Sequence, residues 1–144
     1  MNRNLKNPGT TLAAVALIVG ALVSGSALAI TPIVSDLIGA QEVPPVKTLA
    51  KGTSTIVVGK DKSISGNIRT QGMKATAAHI HQGPTGMNGP HIIDLVMTSP
   101  DEWAVPRGAK LTEEQFQSLT DGNLYVNVHS DNHKGGEIRA QLKP

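Results

Sequence analysis

The sequence predicts an all-β domain: an antiparallel, Greek-key-like β-sandwich of about seven strands, with one short helix near residues 112–120. Three observations carry that prediction. Short runs rich in Ile, Val and Thr recur along the chain, separated by Gly, Pro, Asn and Asp. β-Branched side chains pack well on a pleated surface, whereas those spacers favour turns. Apolar and polar residues alternate with period 2 in the last two runs, which places one face of each strand on a core and the other outside, as in antiparallel sheets. Only one segment carries a helical pattern.

Taken in order, residues 33–38 (IVSDLI) open the domain, and Pro44-Pro45 then breaks the chain, because proline cannot donate to a sheet ladder. Residues 53–58 (TSTIVV) and 63–69 (SISGNIR) read as a hairpin across the turn 59–62 (GKDK). Residues 76–81 (TAAHIH) form a fourth run, and the segment 82–90, with three glycines and two prolines, is a loop. Residues 91–97 (HIIDLVM) make the fifth strand, and 98–111 are expected to be irregular. The helix follows: Thr112 is an N-cap with Gln115 three residues on, Leu111, Phe116 and Leu119 are its apolar members, and Gly122 stops it. Residues 124–129 (LYVNVH) and 137–142 (EIRAQL) close the domain through the turn 130–136.

The N-terminus has a separate logic. Arg3 and Lys6 precede the apolar run 12–23 (LAAVALIVGALV), and Ala27-Leu28-Ala29 follows. That is the pattern of a cleavable secretory signal over residues 1–29, with a run short for a permanent membrane span. The expectation is therefore a domain over residues 30–144, exported to a periplasmic or extracellular space and off the membrane after cleavage. Without Arg3 and Lys6, 11 basic residues face 11 acidic ones, so no net charge draws the domain to nucleic acid. The chain has no cysteine, so packing, hydrogen bonds or a bound ion must supply what disulfides supply in many exported domains.

The chemistry concentrates in histidine. All five histidines lie between residues 79 and 133. His79 and His81, two apart on a strand, share one face and leave Ile80 to the core. His129 ends a strand whose apolar residues take the alternate positions, and His91 starts the strand after the loop. A His-x-His pair plus one or two histidines from neighbouring strands can hold a divalent metal. Nitrogen donors without thiolates point to copper(II), with zinc as the alternative, rather than iron–sulfur or calcium. Asp94, Asp131 or Glu137 could add an oxygen ligand or orient a ring, and Met87 could serve copper(I). His133 is expected to be exposed in its turn. The opposing reading is that His79 and His129 only hydrogen-bond loops and no ion binds.

Other motifs point away from catalysis. Gly83, Gly86 and Gly89 are followed by neither the Lys-Ser/Thr nor the helix of a phosphate loop. Ser130 lacks a Gly-x-Ser-x-Gly context. Glu137 and Arg139 share the polar face of the last strand, and a surface or half-buried ion pair, with Asp94 as possible partner, is the simplest expectation for them.

Several blocks carry a family resemblance: 37–45 (LIGAQEVPP), 78–90 (AHIHQGPTGMNGP), 111–115 (LTEEQ) with 119–129 (LTDGNLYVNVH), and 135–142 (GGEIRAQL). In this order they resemble the CHRD (chordin) domain, from about Ser35 to Leu142. The resemblance implies a compact β-sandwich of the kind found in chordin-type extracellular regulators and in stand-alone exported bacterial proteins. It assigns no activity. The order of His79, His81, His91 and His129 is also similar to the copper ligands of Cu,Zn superoxide dismutase. That comparison would place copper on His79, His81 and His129 with His91 nearby, although the cysteine pair, the long zinc loop and a channel arginine are missing here.

The sequence thus supports an exported, non-enzymatic domain that binds a transition metal, copper favoured, through His79, His81 and His129, with His91 as a fourth ligand. The alternative is a metal-free structural or protein-interaction module of the envelope or matrix, its protein partner unknown. A copper-dependent redox enzyme is the third reading.

Overall fold

The structure, a computed structural model, describes residues 31–144. The export signal expected over residues 1–29 lies outside the described residues. Among the described residues no helix is long and apolar enough to cross a membrane.

Nine antiparallel strands and one helix make up the domain: β1 (Ile33–Ile38), β2 (Lys51–Val58), β3 (Ile64–Gln71), β4 (Ala75–Gln82), β5 (His91–Asp94), β6 (Val96–Ser99), β7 (Glu102–Ala104), α1 (Glu113–Thr120), β8 (Leu124–Ser130) and β9 (Ile138–Leu142). They form one sheet in the order β5-β4-β8-β9-β1-β2-β3-β7-β6. The β8–β9 hairpin inserts between β4 and β1, a Greek-key-like arrangement. The two ends of this order, β5 and β6, are neighbours in sequence with Leu95 alone between them. Leu95 donates its N–H to Ala78 O of β4 at 2.9 Å, and from Val96 onward the chain pairs with β7 instead. The sheet therefore rolls into a nearly closed barrel, which leaves few open edges.

The expected all-β class and helix are present, with two more strands than the pattern suggested. The run 91–97 is one strand by sequence but changes partner at the buried Leu95, so it splits into β5 and β6. The segment expected to be irregular contains β7, three residues long and too short to show a period. Trp103, at its centre, is buried and pairs with Ile68 of β3.

Period 2 fills the barrel. Leu37, Ile56, Ile68, Ile80, Leu124, Val126, Val128, Ile138 and Leu142 are all fully buried, and they dominate the hydrophobic contribution to stability. The capping box forms as expected: Thr112 Oγ1 accepts from Gln115 N–H at 3.2 Å, and Gln115 Oε1 accepts from Thr112 N–H at 2.9 Å. Leu111 and Leu119 are buried, and Phe116 packs against the same core.

The outer face of β8 and β9 is where burial departs from the alternating pattern. Tyr125, Asn127, Arg139 and Gln141 point away from the barrel core yet are buried. Two connections cover them. The segment from Gly39 to Ala50 crosses the end of β9, where Thr48 Oγ1 donates to Glu137 Oε1 at 2.6 Å and Gln41 Oε1 accepts from Gln141 N–H at 3.3 Å. The 83–90 loop folds beside it, and Asn88 Nδ2 ties the two together by donating to Val43 O at 2.7 Å.

Candidate metal centre

The histidines converge because of register. On β4, Ala78 and Ile80 face the core, so His79 and His81 face out. In the β4–β8 pairing His79 lies opposite Asn127, His81 opposite Tyr125 and His129 opposite Ala77. In the β4–β5 pairing Asp94 lies opposite His79 and His91 opposite His81. Four imidazoles therefore stand side by side on the outer face of three neighbouring strands. Their ring centroids are 4.8 Å apart for His79–His129, 5.1 Å for His79–His91 and 5.6 Å for His79–His81.

Three of them can share one ion: single ring nitrogens of His79, His81 and His129 all lie within 4.8 Å of one another. Two are pre-oriented by backbone carbonyls. His81 Nδ1 is 2.9 Å from Gly89 O, and His129 Nδ1 is 2.9 Å from Lys134 O. A carbonyl can only accept, so both Nδ1 atoms carry the proton and both Nε2 atoms are left as acceptors. His81 Nε2 is buried with no hydrogen-bond partner, an arrangement that costs free energy unless something else meets that lone pair. His129 Nε2 lies 2.9 Å from His79 Nδ1.

Burial pushes all three rings below the usual histidine range. For His79 burial is reinforced by His129 and His81, which brings it down to about 4. His81 and His129 are lowered mainly by burial, against the opposing effect of their carbonyl bonds. The triad is therefore neutral at neutral pH, the form in which imidazole binds metal.

The remaining expected ligands are placed differently. His91 faces Asp94, with Nδ1 3.1 Å from Oδ1, and the same Oδ1 is 3.7 Å from His79 Nε2. His91 thus sits with Asp94 on the solvent side of His79 and does not join the inner triad. His133 is half-buried in the turn after β8, where its N–H donates to Ser130 Oγ at 3.3 Å. Its ring is outside the group. Met87 is exposed and contributes only its backbone carbonyl to the interior. Glu137 bonds Thr48, so it supplies no oxygen ligand.

The expectation of a surface or half-buried ion pair at Arg139 is corrected. Its side chain is 1 % exposed, and it has no contact with Asp94. Arg139 Nη2 donates to Met87 O at 2.9 Å and Pro84 O at 3.2 Å, and Nη1 donates to Asn88 Oδ1 at 3.3 Å. Gln141 Nε2 adds bonds to Gly83 O and Gly122 O, both at 2.8 Å. These side chains hold the 83–90 loop over β8. Its carbonyl at Gly89 orients His81, and its N–H at Gly89 donates to Tyr125 Oη at 3.1 Å. A Cβ on Gly89 would run into the Gln82 carbonyl, so this close approach requires glycine. Sequence reasoning missed this supporting layer. Its one visible trace was a set of polar residues at alternating positions, which says which way they point and nothing of what covers them.

The CHRD domain family model matches residues 33–142, from the first residue of β1 to the last of β9. No curated protein and no solved structure matches the chain. The blocks that build the histidine face and the loop beside it lie inside the matched region, and the chain belongs to the CHRD domain family.

Proposed function

We propose that this protein is an exported, non-enzymatic CHRD-domain protein that binds one transition metal ion, copper favoured over zinc, through His79, His81 and His129. The observation that carries the reading is the pair of imidazoles whose Nδ1 atoms are tied to carbonyls, leaving Nε2 lone pairs on the same side as His79, one of them buried and without a partner. Backbone carbonyls orient metal-bound histidines elsewhere in the same way. The donor set of three imidazoles favours copper, because nitrogen sites hold copper(II) more tightly than zinc(II). Export rests on the secretory pattern of residues 1–29.

The test is a titration of the purified protein with copper(II) and, separately, zinc(II), following bound metal per chain and melting temperature. Saturable binding at the triad, lost in His81→Ala and His129→Ala, is expected. At a hundredfold excess over Kd it should add about 2.7 kcal/mol of stability. Binding no stronger than that of an unrelated histidine-bearing protein removes the proposal.

One observation favours the alternative, a metal-free structural or interaction module. The 2.9 Å separation of His79 Nδ1 and His129 Nε2 is that of an ordinary N–H···N hydrogen bond, which His79 and His129 could make while their neighbours brace the loops. The same titration separates the two readings, since this one expects no saturable uptake and no thermal shift.

A further inference from the structure

We propose that His79, His91 and Asp94 form a second, solvent-facing position for a divalent transition metal, and that it shares the His79 ring with the inner triad, one nitrogen to each ion. The proposal rests on the reading of the triad as a metal site.

Its basis is the two-sided placement of one imidazole. β4 is flanked by β8 on one side and by β5 on the other. From the β8 side, His129 Nε2 approaches His79 Nδ1 at 2.9 Å. From the β5 side, Asp94 Oδ1 approaches His79 Nε2 at 3.7 Å and His91 Nδ1 at 3.1 Å. Single ligand atoms of His79, His91 and Asp94 all fall within 4.8 Å of one another, as do those of the inner group. Donors bound to one ion at about 2.0–2.1 Å stand about 2.9–3.4 Å apart; His91 Nδ1 and Asp94 Oδ1 are already within that range, and Asp94 Oδ1 lies a few tenths of an ångström beyond it from His79 Nε2. The register shift in the β4–β5 pairing between Ile80 and His81 re-aims the strand at this point, as bulges do beside binding sites.

The two positions differ in kind. The inner one is half-buried and all nitrogen. The outer one has two imidazoles and a carboxylate, with the His91 and Asp94 side chains 58 % and 75 % exposed, so water completes its coordination and an external ligand can displace that water. The outer position is the weaker and more exchangeable one. Filling both requires the His79 ring to give up its single N–H proton to solvent, so that each nitrogen presents a lone pair.

The experiment is copper(II) titration of the purified protein by calorimetry and by equilibrium dialysis with metal analysis, with EPR of the loaded forms. The wild type is expected to take up two equivalents, the second bound about 10–100-fold more weakly, in the range by which a site's supporting contacts change its affinity. His91→Ala and Asp94→Asn alter exposed side chains that the core does not need. Each should take up one equivalent, with the first affinity changed by less than about threefold. Because two copper(II) spins couple through a shared ring, the doubly loaded wild type should show less than twice the EPR intensity of the singly loaded form. One equivalent in the wild type, unchanged in both variants, overturns the outer position and leaves the inner reading standing. Two equivalents with fully additive EPR intensity overturn the sharing of His79. No uptake at all overturns both.

Discussion

The guanidinium of Arg139 lies 3.4 Å from the centroid of the Tyr125 ring. Arg139 comes from β9 on one side of β8, while His81, from β4 on the other side, stacks on the same ring at 4.7 Å and 11°. A cation, an aromatic ring and a candidate metal ligand thus form one continuous stack beneath the 83–90 loop. A guanidinium is suited to this place because its plane can lie on a ring while its edge donates several hydrogen bonds, here to Pro84 O, Met87 O and Asn88 Oδ1.

Arg139→Lys should therefore be far from conservative. An ammonium is a point donor that cannot cover the ring and reach three acceptors together. Loss of about 2–4 kcal/mol in denaturant unfolding is expected, together with weaker copper binding as Gly89 O releases His81. A variant that unfolds at the wild-type denaturant midpoint would contradict the assignment.

Glu42 is a buried acid that feels the charge of this stack's guanidinium. Burial pushes it up to about 7, against the opposing pull of the Arg139 guanidinium. The folded state therefore holds a proton that the unfolded chain releases near its ordinary value of 4.5. Stability from this group is full below about 4.5 and is lost as pH rises to about 7, by up to about 3 kcal/mol. The lowered histidines act in the opposite sense, losing stability as pH falls below 6.5, so the Glu42 contribution is read as a difference. Glu42→Gln should match the wild type near pH 5 and exceed it at pH 8. A stability difference that does not vary with pH would refute this.

How far the site was legible depends on the distance over which each residue acts. The convergence of His79, His81 and His129 followed from period 2 in two runs and an antiparallel guess, because the face a strand residue takes is a local property. The retreat of His91 to Asp94 was not visible, since it depends on the β4–β5 register. Nor was the burial of Arg139: the residues that cover it, Met87 and Asn88, lie some fifty positions earlier, and nothing in the alternation of β9 reports a second layer. The class of the fold was readable from the strand runs, whereas its closure hinged on Leu95, one apolar residue inside an apolar run.

The adjacent glycines before β9 should respond oppositely to the same change. Gly136 has φ 128°, and a Cβ there would stand 2.5 Å from Glu42 Oε1 and 2.7 Å from Asn127 Nδ2. A Cβ on Gly135 would meet nothing within 4 Å. Gly136→Ala should cost about 2 kcal/mol or more through combined strain and clash, whereas Gly135→Ala should stay within about 0.5 kcal/mol of the wild type. Equal midpoints for the two variants in urea unfolding would remove the claim that Gly136 is held against the buried Glu42–Asn127 pair.

The pH dependence of copper binding tests the inner triad directly. Protons compete with metal for imidazole, so a site of ordinary histidines, titrating near 6.5, begins to lose affinity as soon as pH drops below neutrality. Here burial and mutual repulsion hold His79 at about 4 and keep His81 and His129 below the usual range, so at each mildly acidic pH there is less proton to displace than at a site of ordinary histidines. The Kd of the first copper(II) should weaken less between pH 7.5 and 6 than that of an exposed three-histidine site measured alongside, then weaken steeply toward pH 4, by up to about tenfold per unit for each proton taken up. Competition titrations against a chelator of known affinity at each pH supply the measurement. A loss at pH 6 as large as that of the exposed three-histidine site would mean that the rings binding the ion are exposed ones, which moves the site away from His79, His81 and His129.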